Sequence, residues 1–149
     1  MDGSPAATVA PDDAQTVAAL KDARERTLAL VAPFREEDLE RVHSPLMSPL
    51  VWDLGHIAAF EDLWLVHRYG GRPLLHEELA GVYDAFETPR ADRGDLPFLR
   101  LGEALQYLEQ VRSRSRDVLA GRGVGDGTVT ELVLRHEHQH NETMLQTIQ

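Results

Sequence analysis

Four stretches of this 149-residue chain place apolar residues at helical spacing, and almost nothing alternates as a half-buried strand requires. In the first, 12–31, Val17, Leu20, Leu28 and Val31 keep the period and Pro33 stops it. Residues 35–41 read as a short helical turn. The second, 49–69, opens with Ser48 as N-cap and Pro49 at the first helical position, and Gly70–Gly71 ends it. The third, 97–120, carries Leu101, Leu105, Leu108, Val111 and Val118 on one stripe and stops at Gly121. The fourth opens with a capping box, Thr128 with Glu131 three residues on, and runs to Gln149 without a terminator. The expectation is an all-α fold, a four-helix bundle with a long loop (72–96) between helices two and three. That loop has room for one short helix, at 76–80, and its length marks it as functional or disordered. Residues 1–11 are expected to be a flexible tail and 12–149 the domain, with the unterminated last helix suggesting a piece of a longer protein.

Composition removes several function classes. A formal charge of −10 argues against nucleic acid, because neutralising phosphates needs clusters of Lys and Arg. No basic amphipathic helix suggests a membrane surface, and no apolar run approaches 18 residues. The acidic N-terminus has no apolar signal core, so the expected location is cytoplasmic. With no cysteine, disulfides and thiolate ligands are excluded, and a metal ion has only His, Asp and Glu to hold it.

The segment RHEHQHNETMLQ puts three histidines at alternate positions of the fourth helix. His136 and His140, four apart, stack on one face with Cβ atoms about 5–6 Å apart, close enough to share an ion. His138 lies about 200° round the helix from each and cannot join them. His136 and His140 continue the stripe of Val129, Leu132/Val133, Thr143/Met144 and Thr147, so both point inward. The third donor is expected from WDLGHIAAF, where His56 shares its face with Trp52, Ala59/Phe60 and Leu63. Three neutral imidazoles suit Zn, Fe, Ni or Cu and leave positions open for water, substrate or O2. Asp53, one turn before His56, either orients that imidazole or is an ordinary first-turn acid. Glu142 either supports the site or belongs to a solvated face. Arg90 and Arg93 in the long loop either clamp a carboxylate substrate or are solvated charges. His43, His67 and His76 read as ordinary isolated histidines.

SPLMSPLVWDLGHIAAFEDLWL together with HEHQHNETMLQ resembles the N-terminal domain of the hercynine oxygenase family, the sulfoxide synthases of ergothioneine biosynthesis. The resemblance runs from about Arg41 to Gln149 and implies a DinB/YfiT-like four-helix domain. It places the family's H-x3-H-x-E signature on His136, His140 and Glu142, and its remaining iron ligand on His56. It implies a non-haem Fe(II) site that uses O2 to join a thiol to imidazole C2 of Nα-trimethylhistidine (hercynine). It implies that Arg90 and Arg93 hold the carboxylates of a γ-glutamylcysteine thiol, cysteine being the other thiol candidate, and that Gln139 faces the hercynine. The family's full enzyme adds a C-terminal formylglycine-generating-enzyme-like domain carrying a catalytic tyrosine. The fragment alone is therefore expected to be nearly inactive, with that domain of the same polypeptide as its partner. A free-standing DinB-like thiol-S-transferase or mycothiol-dependent isomerase, and a non-catalytic interaction module, are the competing readings.

Overall fold

The computed structural model describes residues 13–41, 48–79, 82–83 and 99–149, and every regular element among them is helical. Helix α1 (Asp13–Val31) buries Leu20, Ala23, Arg24, Thr27 and Val31, a stripe of three- and four-residue steps. Val17 and Leu28, placed on the inner stripe by the sequence, are 36% and 39% exposed. A short α2 (Glu36–Glu40) follows, then α3 (Leu50–Glu61), whose residues Leu50 to Ala58 are all buried. The expected continuous helix changes pitch at Asp62, and Asp62–Tyr69 is π-helical. The wider turn lets two adjacent acids be buried with different partners. Glu61 meets arginines, while Asp62 accepts the Leu75 N–H at 2.7 Å. A 3-10 turn (Glu77–Leu79) lies within the connection that leads to α4 (Leu101–Arg122) and α5 (Thr128–Ile148).

Three boundaries differ from the sequence reading for local reasons. Before α4, residues 99–100 are not helical, and the Arg100 N–H donates to the Glu103 carboxylate at 3.3 Å. The helix passes through Gly121 and stops at Gly123, whose φ of +70° suits a residue without a Cβ. At the start of α5 the cap position is Gly127, and Asp126 accepts the Thr128 N–H at 2.9 Å. Glu131, freed from the expected capping box, pairs with Arg135 at 2.6 Å. The expected tail 1–11 lies outside the described residues. Among those described, no helix is long and apolar enough to cross a membrane.

The apolar interior forms two clusters. One gathers around Trp52, Leu54, Leu108, Val111 and Met144, the other around Leu20, Leu65, Val118, Leu119 and Val133. Between them lies a charged layer. On α1, Arg24 sits between Leu20 of one cluster and Val31 of the other; on α5, Glu137 sits between Val133 and Met144. Glu61 and Arg112 hold the same place between Ala58 and Leu65 and between Val111 and Val118. Each helix crosses this layer once, and the order of clusters fixes its direction: α1 and α5 run one way, α3 and α4 the other. Two successive parallel helices require the chain to return the length of the domain between them. That geometric need accounts for a long connection.

The layer is satisfied internally. Arg112 grips Glu61 with two bonds (2.9 and 3.0 Å) and reaches Glu137 at 3.2 Å. Arg24 reaches Glu137 at 3.0 Å and Glu61 at 3.3 Å. Their remaining donors go to the Leu108 and Leu20 carbonyls, at 3.1 and 2.8 Å. Ser115 adds a bond to Glu61 (2.7 Å), and the Thr27 hydroxyl lies 2.5 Å from Glu137 and 2.9 Å from Asn141. Burial alone would raise the Glu61 carboxyl, but Arg112, Arg24 and Ser115 outweigh it and hold it below the usual range. Two cations against two anions leave the layer neutral. Removing one cation leaves a buried carboxylate unpaired, so Arg112→Met should lower unfolding stability by about 3–5 kcal/mol. Urea denaturation at neutral pH checks this; a loss under about 1 kcal/mol contradicts a tightly coupled layer.

Candidate metal centre

On α3, Trp52, His56 and Phe60 are spaced four apart and share one face, while His136 and His140 face them from α5. Trp52 stacks on His56 with ring centroids 4.8 Å apart and planes 13° from parallel. Phe60 stacks on His136 at 3.7 Å and 8°. Held between these aromatic plates, the imidazoles converge: His56 to His136 4.8 Å, His56 to His140 4.6 Å, His136 to His140 4.5 Å between centroids. One nitrogen from each lies within 4.8 Å of the other two, a group that could hold a metal ion.

The outer nitrogens are tied down by different means. His56 Nδ1 lies 2.6 Å from the Tyr83 carbonyl, to which it must donate, so its Nε2 presents a lone pair. His140 Nδ1 lies 3.0 Å from Asp53 Oδ1, so the carboxylate on α3 orients a histidine on α5. The sequence reading had offered Asp53 to His56. The Nε2 atoms of His56 and His136 are 3.0 Å apart. Two donors each about 2.1 Å from one ion and at right angles would stand about 3 Å apart, so the donor set fits an imidazole-bound transition ion. Burial, then the neighbouring His140 and His56, push the His136 imidazole down to about 2. It is therefore neutral at physiological pH, the form that ligates a cation.

Gly55 explains why the segment reads W-D-x-G-H. A Cβ built there would fall 2.3 Å from the Tyr83 ring, so only glycine lets that ring lie against α3. Tyr83 is 2% exposed, and its backbone neighbour Val82 accepts the Trp52 Nε1–H at 3.0 Å. Burial, reinforced by Glu103, pushes the Tyr83 phenol up to about 12, and its oxygen accepts the Leu99 N–H at 2.8 Å.

The other sequence candidates lie elsewhere. Gln139 and Glu142 are exposed and line a groove between α1 and α5 with His138, Arg26 and Arg135; none of the three converging histidines lines it. Arg90, Arg93 and His43 fall outside the described residues. His67 lies exposed with Nδ1 2.8 Å from the Arg72 carbonyl, and His76 packs edge-on against Tyr107 at 5.2 Å. Sequence reasoning missed Tyr83, which acts through a main-chain carbonyl and so carries no side-chain signature. It placed Phe60 on the His56 face but did not foresee that the ring stacks on His136.

The family model described as the DinB superfamily matches residues 19–144. The chain is 48% identical over 134 residues to hercynine oxygenase of Mycobacterium tuberculosis, covering 87% of this chain and 31% of that protein. It is 45% identical over 143 residues to hercynine oxygenase of Mycolicibacterium thermoresistibile, covering 93% and 31%. Against hercynine oxygenase of Mycolicibacterium smegmatis it is 47% identical over 131 residues, covering 85% and 30%. The chain thus spans about a third of the length of these relatives.

If Asp53 holds His140 in ligating orientation, Asp53→Ala should weaken binding of a divalent ion about 10–100-fold with the helical content retained. Isothermal titration with Zn(II), alongside circular dichroism, measures both; unchanged affinity would assign Asp53 no part in the site.

Proposed function

The chain belongs to the DinB superfamily, and from that premise we propose that it is the metal-binding domain of an iron(II)- and O2-dependent sulfoxide synthase acting on hercynine and a cysteine thiol. The observation that carries this reading is the convergence of His56, His136 and His140 in a chain 45–48% identical to proteins named hercynine oxygenase. The four long helices are then the four-helix bundle of the superfamily, and the location is cytoplasmic.

In this reading the three histidines hold Fe(II). When bound, the ion supplies the redox chemistry and the open positions at which O2 and the substrates meet. Neutral imidazoles leave its charge uncompensated, which favours a thiolate over a thiol beside it. Trp52 stacks on His56 and Phe60 on His136, which fixes those two imidazole planes. Asp53 orients His140, and the Tyr83 carbonyl orients His56. Gln139 and Glu142, exposed on the same helix as two of the ligands, are available to substrate, Gln139 toward hercynine. Arg90 and Arg93 take the carboxylates of γ-glutamylcysteine, or of cysteine, by paired N–H bonds. The overall change breaks the C2–H and S–H bonds and forms C–S and S–O bonds. O2 ends as the sulfoxide oxygen and one water, which balances four electrons.

The relatives are about three times as long as this chain, and a second, C-terminal formylglycine-generating-enzyme-like domain of the same polypeptide completes the site. The test is anaerobic Fe(II) loading of the longest native polypeptide, then hercynine, γ-glutamylcysteine or cysteine, and O2, with the product identified by mass. Sulfoxide formation with matched O2 consumption is expected, lost in His56→Ala; the 149-residue chain alone should give little or none. Turnover that proceeds without O2 would overturn the reading in favour of a divalent-metal thiol-S-transferase.

A further inference from the structure

We propose that the groove between α1 and α5 is a second binding site, one that takes a small aliphatic carboxylate. None of the three converging histidines lines it, so the inference stands apart from the metal reading. The groove offers about 720 Å3, a volume in the range of small-molecule sites. Asn141 is part of its lining and is 8% exposed. The Asn141 Oδ1 lies 2.9 Å from the Thr27 hydroxyl, which turns that arm of the amide toward the charged layer. The other arm, Nδ2, is buried, and no acceptor among the described residues lies within hydrogen-bond reach of it. A buried donor without an acceptor is costly to keep. In the lining of a groove it marks where an acceptor from outside the chain fits.

The rest of the lining defines the two ends of the ligand. Thr27 stands beside Asn141 and Arg24 beside Glu137, which sets the register of these two parallel helices. Ala29 and Leu30 on α1 and Leu145 on α5 follow those pairs in the chain, so they share one end of the groove. Arg26 and Arg135 precede the pairs and lie toward the other end. The first end is apolar, and Leu145 is 37% exposed there. At the second end Arg26 pairs with Asp22 at 3.2 Å and Arg135 with Glu131 at 2.6 Å, both at exposed positions. Exposed pairs of this kind are weak and exchange readily for another carboxylate. Glu142 also lines the groove and opposes an anion, but the lining sets two guanidinium groups against that one carboxylate. An aliphatic carboxylate meets each feature: an oxygen accepts from Asn141 Nδ2, its charge faces the arginines, and its chain covers Ala29, Leu30 and Leu145.

The experiment titrates sodium hexanoate into the metal-free, 15N-labelled 149-residue chain and follows the Asn141 side-chain amide by NMR. Hexanamide, which keeps the acceptor and loses the charge, and hexylammonium, which reverses the charge, serve as comparison probes. Hexanoate should shift the Asn141 amide and saturate, hexanamide should bind about twofold to fivefold more weakly, and hexylammonium should leave the resonance in place. Arg135→Gln should weaken hexanoate by about the same factor, and Glu142→Gln should tighten it by about that factor. Leu145→Glu, an exposed position where folding is preserved, should abolish the shift with helical content unchanged. An Asn141 amide that does not respond at about 20 mM hexanoate overturns the site, since even a ligand of this size gains measurable affinity from a formed pocket. Hexylammonium binding as well as hexanoate overturns the carboxylate assignment, and wild-type binding by Leu145→Glu overturns the groove. Shifts confined to His56, His136 and His140 would place the anion among the histidines and refute a second site, while leaving the metal reading standing.

Discussion

The buried pairing of Arg24 and Arg112 with Glu61 and Glu137 is the constraint on which the rest of this domain depends. Each of the four long helices contributes one charged residue to it, and each residue is at most 8% exposed. An apolar interface tolerates helices sliding by a fraction of a turn, because one methyl group replaces another. A guanidinium that loses its carboxylate inside the protein has no such substitute. The charged layer therefore sets the axial register of all four helices at once. It also divides the interior into two apolar clusters, from which the direction of each helix can be read.

Register is what a site built from two helices needs. Glu137 is flanked by His136 and precedes Asn141, the neighbour of His140, so the residues that lock α5 alternate with those that face α3. On α3, Glu61 lies five residues beyond His56 and is locked to Arg112. The α3–α5 crossing that brings a nitrogen of each of three imidazoles within 4.8 Å of the others is thus braced by ionic contacts, beside His136 on α5 and about one turn beyond His56 on α3. The fine orientation is local: Trp52 and Phe60 set ring planes, while Asp53 and the Tyr83 carbonyl set which nitrogen faces inward.

The three histidines were legible in the sequence because helical periodicity alone puts His136 and His140 on the stripe of Val133 and Met144, and His56 on that of Trp52. The residues that brace them were not. Glu137 stands in a run of alternating histidines and polar residues and reads as one more solvated acid. Arg24 occupies the inner face of α1, and the apolar count instead drew attention to Val17 and Leu28, which are exposed. Periodicity scoring treats a charge as an outward residue, and a neutral buried layer violates that rule in every helix simultaneously. The π-helical turn at Asp62 was hidden for a related reason: it follows from two adjacent buried acids with different partners. The Tyr83 carbonyl has no sequence signal at all. The all-helical class was legible, whereas the start of α4 moved by four residues to follow Arg100 and the cap of α5 moved by one, from Thr128 to Gly127.

We propose that one ion is held by the three imidazoles that α3 and α5 bring together. X-ray absorption at the iron edge of the anaerobically Fe(II)-loaded chain tests it most directly. One ion per chain with three imidazole nitrogens is expected, falling to two in His56→Ala. Two imidazoles in the unaltered chain, or a spectrum that His56→Ala leaves unchanged, would contradict it.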